Sequence, residues 1–435
     1  MSSSPPPKRQ LTTKLLAVAL SATLLATLTL IFTTASAGTC SHPDGPSPLG
    51  DRICWRLSPC RNQKPTSNPI RKLWKPRGNS TTPIQKAPEF VLKYAPYVYL
   101  HSEERFHPGD IAEHLIHTTP HLNLTPLDSS SAPSPLLLSN LEKLNSLGPE
   151  DVYLTSNDDP AYPPPWLRGN RNIPDHYGKS RAPAIIIWAE KSPGVIDAFY
   201  FYFYSFNLGN TVAGWRFGNH VGDWEHTAIR FVDGKPIGMF FSEHSSGKAY
   251  QFSVVEKIGN RPVTYSASGS HANYATPGTH YYAIPFHLLF DRTDKGYLWD
   301  PAQNNYLYHY DIKKDELSPD QKNPNAPVSW FHFEGKWGDM IYPLNDKRQY
   351  RVVGQYHYVN GPTGPKSKNL DRLEVCQNAG VCILLPSLRD TSHSGLVRQG
   401  QSVAPQKPQS VERKVKVEFG TRETKMREAV KDEDL

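Results

Sequence analysis

The sequence contains few cysteines, and its middle contains none. Its 435 residues include five cysteines, and none lies between residues 61 and 375. Two cysteines spaced by two residues, the arrangement typical of a structural zinc site, do not occur. In an oxidising compartment the short separations favour two disulfides, although connectivity does not follow from the sequence and one cysteine is left over. The favoured pairs are Cys54–Cys60 and Cys376–Cys382.

The turn that presents the nucleophile of α/β-hydrolases is also absent. Ser268 lies between Ser266 and Ser270, where the G-x-S-x-G pattern requires glycines. The neighbouring Ser270 and His271 would point to opposite faces of a strand. These features disfavour a serine hydrolase. They favour close backbone packing, with His271 and Tyr274 making buried hydrogen bonds.

The basic residues do not form a patch suited to nucleic acid. The net charge is +7 at pH 7, but Lys and Arg are scattered and cluster mainly in the two terminal segments. This distribution argues against a nucleic-acid partner and gives weak support to a membrane surface.

One long apolar run occurs, near the N-terminus. Residues 15–32 are uncharged, follow Lys8, Arg9 and Lys14, and precede the cleavage pattern Ala35-Ser-Ala37. We predict that residues 1–37 are a signal peptide, with a retained signal anchor as the alternative. Either form places the chain in the secretory pathway, anchored on the lumenal side or released into the lumen or outside the cell. The sequons at Asn79 and Asn123 predict N-glycosylation there.

Composition divides the remaining chain into three parts. Residues 38–87, rich in Pro, Lys and Arg, are predicted to be a linker, and residues 387–435 a disordered charged tail. Between them, residues 88–386 contain short apolar and aromatic runs separated by Gly, Pro, Asn and Asp. These runs predict a mostly β domain, an antiparallel sandwich with a few short helices and long Pro-rich loops. Within it, residues 291–296 are expected to form an exposed polar loop.

Histidines and carboxylates are concentrated between His220 and His280. Residues 227–253 resemble strands interrupted by Asp233-Gly234 and by Ser246-Gly247, and an Asp-Gly pair is typical of a hairpin turn. In an extended chain, Asp223 and Glu225 share one face, and Trp224 and His226 share the other.

The two carboxylates allow three interpretations. They could perform general acid/base chemistry, or bind a divalent metal with Asp223, Glu225 and His271 as candidate ligands. Alternatively, they hold turns and pair with Arg side chains, which is the interpretation that the residues alone favour. No cofactor is predicted apart from this candidate metal.

The order of these motifs resembles the Vps62 family, the vacuolar protein sorting-associated proteins of fungi with relatives in plants. The motifs are Gly222-Asp-Trp-Glu-His226, Phe241-Ser-Glu-His-Ser245, Tyr265-Ser-x-Ser-x-Ser-His-Ala272 and Lys336-Trp-Gly338. The resemblance implies a role in protein traffic to the vacuole, in the vacuole lumen or anchored to a membrane on the lumenal side, and it supplies no catalytic residues. The motif residues of undetermined role are Asp223, Trp224, Glu225, His226, His244, His271, Tyr274 and Trp337.

We therefore expect a protein that binds trafficking cargo or a membrane rather than an enzyme. The alternative is a secreted hydrolase, metal-dependent or acid/base, acting on carbohydrate or ester substrates. A structural wall or surface protein is a third class, and it predicts that changes in the motif affect only stability.

Overall fold

The computed structural model describes residues 84–148, 151–244, 246–282, 288–377 and 382–388. The predicted leader, nearly all of the linker and of the tail, Cys54, Cys60 and Asn79 lie outside these residues. Within the described ranges, no helix has the length and apolar character needed to cross a membrane. Asn123 is exposed at the turn after a short strand, which suits the predicted glycosylation.

Helices are short. The α-helices are α1, Glu89–Lys93, and α2, Ile111–Ile116, and 3-10 helices occur at Leu141–Leu147, Ser329–His332 and Pro365–Lys368. The start of α2 is fixed by Asp110, whose side chain accepts a hydrogen bond of 2.8 Å from the backbone N–H of Ala112. Such a cap satisfies one of the N–H groups that the first turn of a helix leaves unpaired.

Strands make up most of the regular structure. The first eleven are β1 Tyr97–Tyr99, β2 Thr118–Leu122, β3 Thr125–Pro126, β4 Val152–Ser156, β5 Ala184–Ser192, β6 Val195–Asn207, β7 Thr211–Val212, β8 Trp215–Arg216, β9 His220–Val232, β10 Lys235–Glu243 and β11 Ser246–Gln251. The others are β12 Lys257–Ile258, β13 Arg261–Ser266, β14 Asn273–Tyr274, β15 Gly278–Tyr281, β16 Phe290–Thr293, β17 Leu298–Trp299, β18 Asn305–Asp311, β19 Glu316–Pro319, β20 Arg351–Val352, β21 Gln355–Tyr356 and β22 Leu384–Leu385.

An eight-stranded sheet carries the fold, in the order β19-β18-β5-β6-β9-β10-β11-β22. At its centre, β6 alternates phenylalanine and tyrosine, and every side chain in this run is buried. Because successive residues of a strand point to opposite faces, the phenylalanines enter one apolar cluster and the tyrosines another. The two sets are Phe199, Phe201 and Phe203, and Tyr200, Tyr202 and Tyr204.

Each face of this sheet is covered. On the phenylalanine face, Trp224, Trp330 and Trp337 pack with α2 and the first two 3-10 helices. On the tyrosine face lies a second sheet in the order β12-β13-β1-β17, with β14 paired to β13. Its Trp299 packs against Tyr202, with ring centroids 5.5 Å apart. The predicted mostly β, sandwich-like fold is confirmed.

Three strand pairs are parallel, which the antiparallel prediction did not include: β1 with β13, β5 with β18, and β11 with β22. Each joins segments that are distant in the chain, because parallel neighbours need a long crossover connection. The β22 edge follows the disulfide Cys376–Cys382. Both of these cysteines pack against the phenylalanine-face cluster.

The turns bear out one prediction and correct two. Val232 and Lys235 pair across Asp233-Gly234, so the predicted hairpin is present. Ser246 and Gly247 lie inside β11, and the turn between β10 and β11 begins at His244, whose φ is +58°. The expectation of an exposed loop at residues 291–296 is wrong at Asp291, which is only 1% exposed. In β16, Asp291 and Thr293 point inward while Arg292 points outward.

Candidate functional site

The register of β6 and β9 places the two motif carboxylates side by side. Asp223 lies opposite Tyr204, and Glu225 lies opposite Tyr202. Paired residues of neighbouring strands share a face, so both carboxylates belong to the tyrosine face. Both are almost completely buried. An acidic pair therefore lies between the main sheet and the segments that cover it.

His271 is the positive partner of Asp223. Its Nδ1 lies 2.9 Å from Asp223 Oδ2 and its Nε2 lies 3.1 Å from the carbonyl oxygen of Phe106. A carbonyl and a carboxylate are both acceptors of hydrogen bonds, so this geometry favours donation from both ring nitrogens. Burial alone lowers the pKa of His271, but its hydrogen bond to Asp223 and the charge of Glu104 raise it overall. The ring of Tyr204 stacks on it at 3.7 Å.

Glu104 completes this buried ion group. One of its oxygens lies 3.9 Å from His271 Nε2, and the other accepts a hydrogen bond of 2.8 Å from the backbone N–H of Gly269. The loop before α2 is thereby tied to the loop that carries His271. Since 165 positions separate Glu104 from Gly269, no local pattern in the sequence could have indicated this contact.

Asp291 forms the centre of a second group that the sequence interpretation missed. Its two oxygens accept hydrogen bonds of 2.8–3.1 Å from five side chains, which are Asn210, His244, Ser270, Tyr274 and Tyr282. These donors hold the carboxylate in its charged form, and the positive charge of His244 lowers the pKa of Asp291 despite burial. The local pattern gave no signal, since a period of two over Phe290–Thr293 would place the apolar Phe290, and not Asp291, on the inward face.

His244 opens this network towards solvent, because about a third of its side chain is exposed. Burial lowers its pKa, but the charges of Asp291 and Glu225 raise it to about 9, so His244 is positively charged at neutral pH. His244 and His271 both adopt the left-handed backbone region, with φ of +58° and +55°. Non-glycine residues in this region are uncommon and cluster at functional sites.

Glu225 lies within electrostatic range of both groups. Its Oε2 is buried without a hydrogen-bond partner. Burial is the main cause that raises the pKa of Glu225 to about 8. A carboxyl group in that state carries a proton at neutral pH, which removes the cost of burying a charge.

The other motif residues lie on the opposite face. Trp224 and Trp337 pack edge to face at 5.3 Å in the apolar core. His226 accepts a hydrogen bond from Arg372 at 3.0 Å, and burial with the Arg372 charge holds the pKa of His226 well below its usual value. The structure thus brings together Asp223, Glu225, His244, His271 and Tyr274, and separates them from Trp224, His226 and Trp337.

A close backbone contact explains the glycines of two motifs. At Gly222, whose φ is +70°, an added Cβ would lie 2.0 Å from the carbonyl oxygen of Trp337. At Gly338 it would lie 1.9 Å from the carbonyl oxygen of Val221. Only glycine allows this approach, so the two motifs are joined through their backbones.

The described residues do not arrange Asp223, Glu225 and His271 as a set of metal ligands. Across the part of the chain that the structure describes, no three His, Cys, Asp or Glu side chains converge as ligands of one ion. Both nitrogens of His271 already donate hydrogen bonds.

Comparison with known proteins gives consistent results. Residues 206–353 match the family model described as Vps62, vacuolar protein sorting-associated protein 62. In Saccharomyces cerevisiae, the putative vacuolar protein sorting-associated protein TDA6 is 40% identical over 323 residues, covering 66% of this chain and 68% of that protein. Vacuolar protein sorting-associated protein 62 of the same yeast is 34% identical over 338 residues, covering 70% and 69%.

Among solved structures, the non-toxic HaNLP3 protein aligns with 52% of this chain and 78% of its own, at 13% identity and a TM-score of 0.26. This likeness is too low to support any statement about the present chain.

Proposed function

The chain belongs to the Vps62 family, and from that premise we propose that it acts in vacuolar protein sorting within the secretory pathway, by binding rather than by catalysis. Both yeast relatives bear names that refer to vacuolar protein sorting. The matched segment, residues 206–353, includes Asp223, His271, Asp291 and the five donors to Asp291, whereas Glu104 lies outside it.

The hydrogen bonding of the two histidines is the observation that supports binding. A general base needs a nitrogen lone pair at the working pH. His271 donates from both nitrogens, and His244, with a pKa raised to about 9, is protonated at neutral pH. Asp291 is likewise saturated by five donors. The cluster holds fixed charges, and His244 exposes one of them to solvent, which suits recognition of a partner.

Complementation tests this proposal. The chain is expressed in a yeast strain that lacks both relatives, and the fraction of a vacuolar hydrolase that escapes into the medium is measured. We expect the chain to reduce this secretion, and His244→Gln, which keeps the buried ion group of His271, to reduce it less. His176→Gln, at an exposed histidine remote in sequence from the cluster, serves as control. Unchanged secretion with a correctly folded chain would contradict the proposal.

Glu225 favours one second candidate, an acid/base or metal-dependent hydrolase acting on carbohydrate or ester substrates. A carboxylic acid with a pKa of about 8 beside a second carboxylate fits a general acid at neutral pH. Its test is hydrolysis of chromogenic glycosides and esters by the purified chain, with Glu225→Gln and with elemental analysis for a divalent metal. Turnover lost in this variant would support the hydrolase, whereas no turnover in the parent would exclude it for those substrates.

A further inference from the structure

Two hairpins have the same turn type and apolar side chains at their tips. Strands β7 and β8 are joined by Ala213-Gly214, with φ of +50° and +86°. Strands β20 and β21 are joined by Val353-Gly354, with φ of +51° and +77°. Positive φ at both central residues is the type I′ pattern, which favours Asn, Asp or Gly. A β-branched valine in this region is an outlier.

The two tips lie at the same end of a shared ribbon. The N–H groups of Gly218 and Asn219 donate to the carbonyl oxygens of Tyr356 and His357, at 3.0 and 2.9 Å, and Asn219 forms a parallel bridge with Tyr358. The segments that follow β8 and β21 therefore run in the same direction. Because each turn precedes its segment by a few residues, both turns lie at the starting end.

Tyr350 fastens the hairpins to each other. Its hydroxyl accepts a hydrogen bond from the N–H of Arg216 at 3.0 Å and donates to the carbonyl oxygen of Arg216 at 2.7 Å. The ring of Trp215 packs on it edge to face, with centroids 5.1 Å apart. Even so, Trp215 is 48% exposed and Val353 is 54% exposed. We call residues 211–219 and 347–358 the hairpin surface.

The hairpin surface is mainly cationic, although Asp346 and Asp159 at its border pair with Arg348. Its two segments contain four cationic side chains, Arg216, Lys347, Arg348 and Arg351, and no acidic one. Arg348 is paired with Asp346 at 2.7 Å. Burial and the nearby charge of Arg105 lower the pKa of Arg216, so positive charges crowd here. Exposed Trp together with Arg and Lys is the combination that binds the interface of anionic membranes.

We propose that the hairpin surface docks on an anionic lipid bilayer, with Trp215 and Val353 entering the headgroup region and Arg216 and Arg351 near the lipid phosphates. The hairpin surface is connected to the polar cluster through the residue before β7. Asn210, directly before β7, donates a hydrogen bond of 3.1 Å to Asp291. A docked chain would hold the polar cluster, with its exposed His244, beside the membrane.

Vesicle flotation of the full chain tests the proposal, with phosphatidylcholine vesicles that contain or lack phosphatidylserine as the anionic lipid. We expect binding only to the anionic vesicles. Trp215→Ala with Val353→Asn should weaken it by at least about ten-fold, because apolar burial is lost. Arg351→Gln should weaken it by about five-fold.

Tyr177→Ala is the matched control, since it removes a 73% exposed aromatic ring from another loop, and it should bind as the parent does. Val353→Asn alone distinguishes a loss of membrane binding from a loss of folding stability. Asparagine fits positive φ better than valine, so its melting temperature should not fall while binding does. Equal flotation of all variants, equal binding to neutral vesicles, or no flotation of the parent would each overturn the proposal. The last result would point to a protein partner for this surface.

Discussion

Gly222 is the residue that most constrains the backbone of the carboxylate motif. In Gly222→Ala, the new Cβ would meet the carbonyl oxygen of Trp337 at a φ of +70°. At Gly214 the φ is +86° and an added Cβ meets nothing within 4 Å, so Gly214→Ala carries only the backbone cost, about 1–2 kcal/mol. We expect Gly222→Ala to lower the free energy of unfolding by at least about 2 kcal/mol more than this control. Denaturant titration measures both, and equal losses would contradict the close contact.

Two residues of the cluster make stability depend on pH in the same direction. His244 has its pKa raised from 6.5 to about 9, so its contribution is complete below pH 6.5 and is lost as the pH rises through 9. Glu225 has its pKa raised to about 8, and its protonated form is favoured in the folded chain. The free energy of unfolding should therefore fall between pH 6 and pH 9.

His244→Gln should flatten this dependence by about 1–2 kcal/mol, a figure reduced for the partial exposure of the ring. Glu225→Gln should raise stability relative to the parent, and by more at pH 9 than at pH 5, because the window of Glu225 runs from pH 4.5 to about 8. Denaturant midpoints between pH 5 and pH 9, measured in the presence of a chelator, test both expectations. His176→Gln serves as the control variant. Parallel curves for the parent and both cluster variants would show that neither residue titrates in this way.

At the scale of single residues, the sequence predicted the two motif carboxylates but not the other buried carboxylates of the site. The shared face of Asp223 and Glu225 follows from strand alternation alone. Two further buried carboxylates, Glu104 and Asp291, reach His271 and His244 from distant segments. Local sequence patterns do not encode these tertiary contacts. Asp291 was also hidden because a charged residue in a polar stretch normally lies at the surface.

Among the elements, we expect the segment that contains Arg372 to be stabilised by a disulfide. The disulfide Cys376–Cys382 closes a short loop next to Arg372, which contacts His226 and packs against Phe199. Replacing both cysteines by serine should lower the free energy of unfolding by about 2 kcal/mol, the loop-closure entropy of so short a loop. The loss of protection against hydrogen exchange should be largest in residues 366–377. Exchange that is unchanged there would mean that packing alone holds the segment.

The residues of the turns made local hairpins predictable. The order of the strands in the sheet could not be predicted in this way. The Asp233-Gly234 hairpin follows from two residues whose backbone preferences require it. The pairing of β5 with β18 joins Ala184 to Asn305, and nothing in either short run specifies the other. Long-range pairs are selected by burial of the whole sheet, which a single sequence does not display.

At the scale of the described domain, the two largest apolar clusters lie on opposite faces of one sheet, so their stabilities should be inseparable. Neighbouring residues of β5 test this: Ile186 is buried in the tyrosine-face cluster and Ile187 in the phenylalanine-face cluster. Changing either to Ala should cost about 2–5 kcal/mol. Because both side chains belong to one strand, each change should shift the same single unfolding transition. Tryptophans report on both faces, Trp188 and Trp299 on one and Trp224 and Trp330 on the other. Coincident circular dichroism and fluorescence curves would therefore establish a single unit, whereas an Ile186→Ala transition that splits from that of Ile187→Ala would show two.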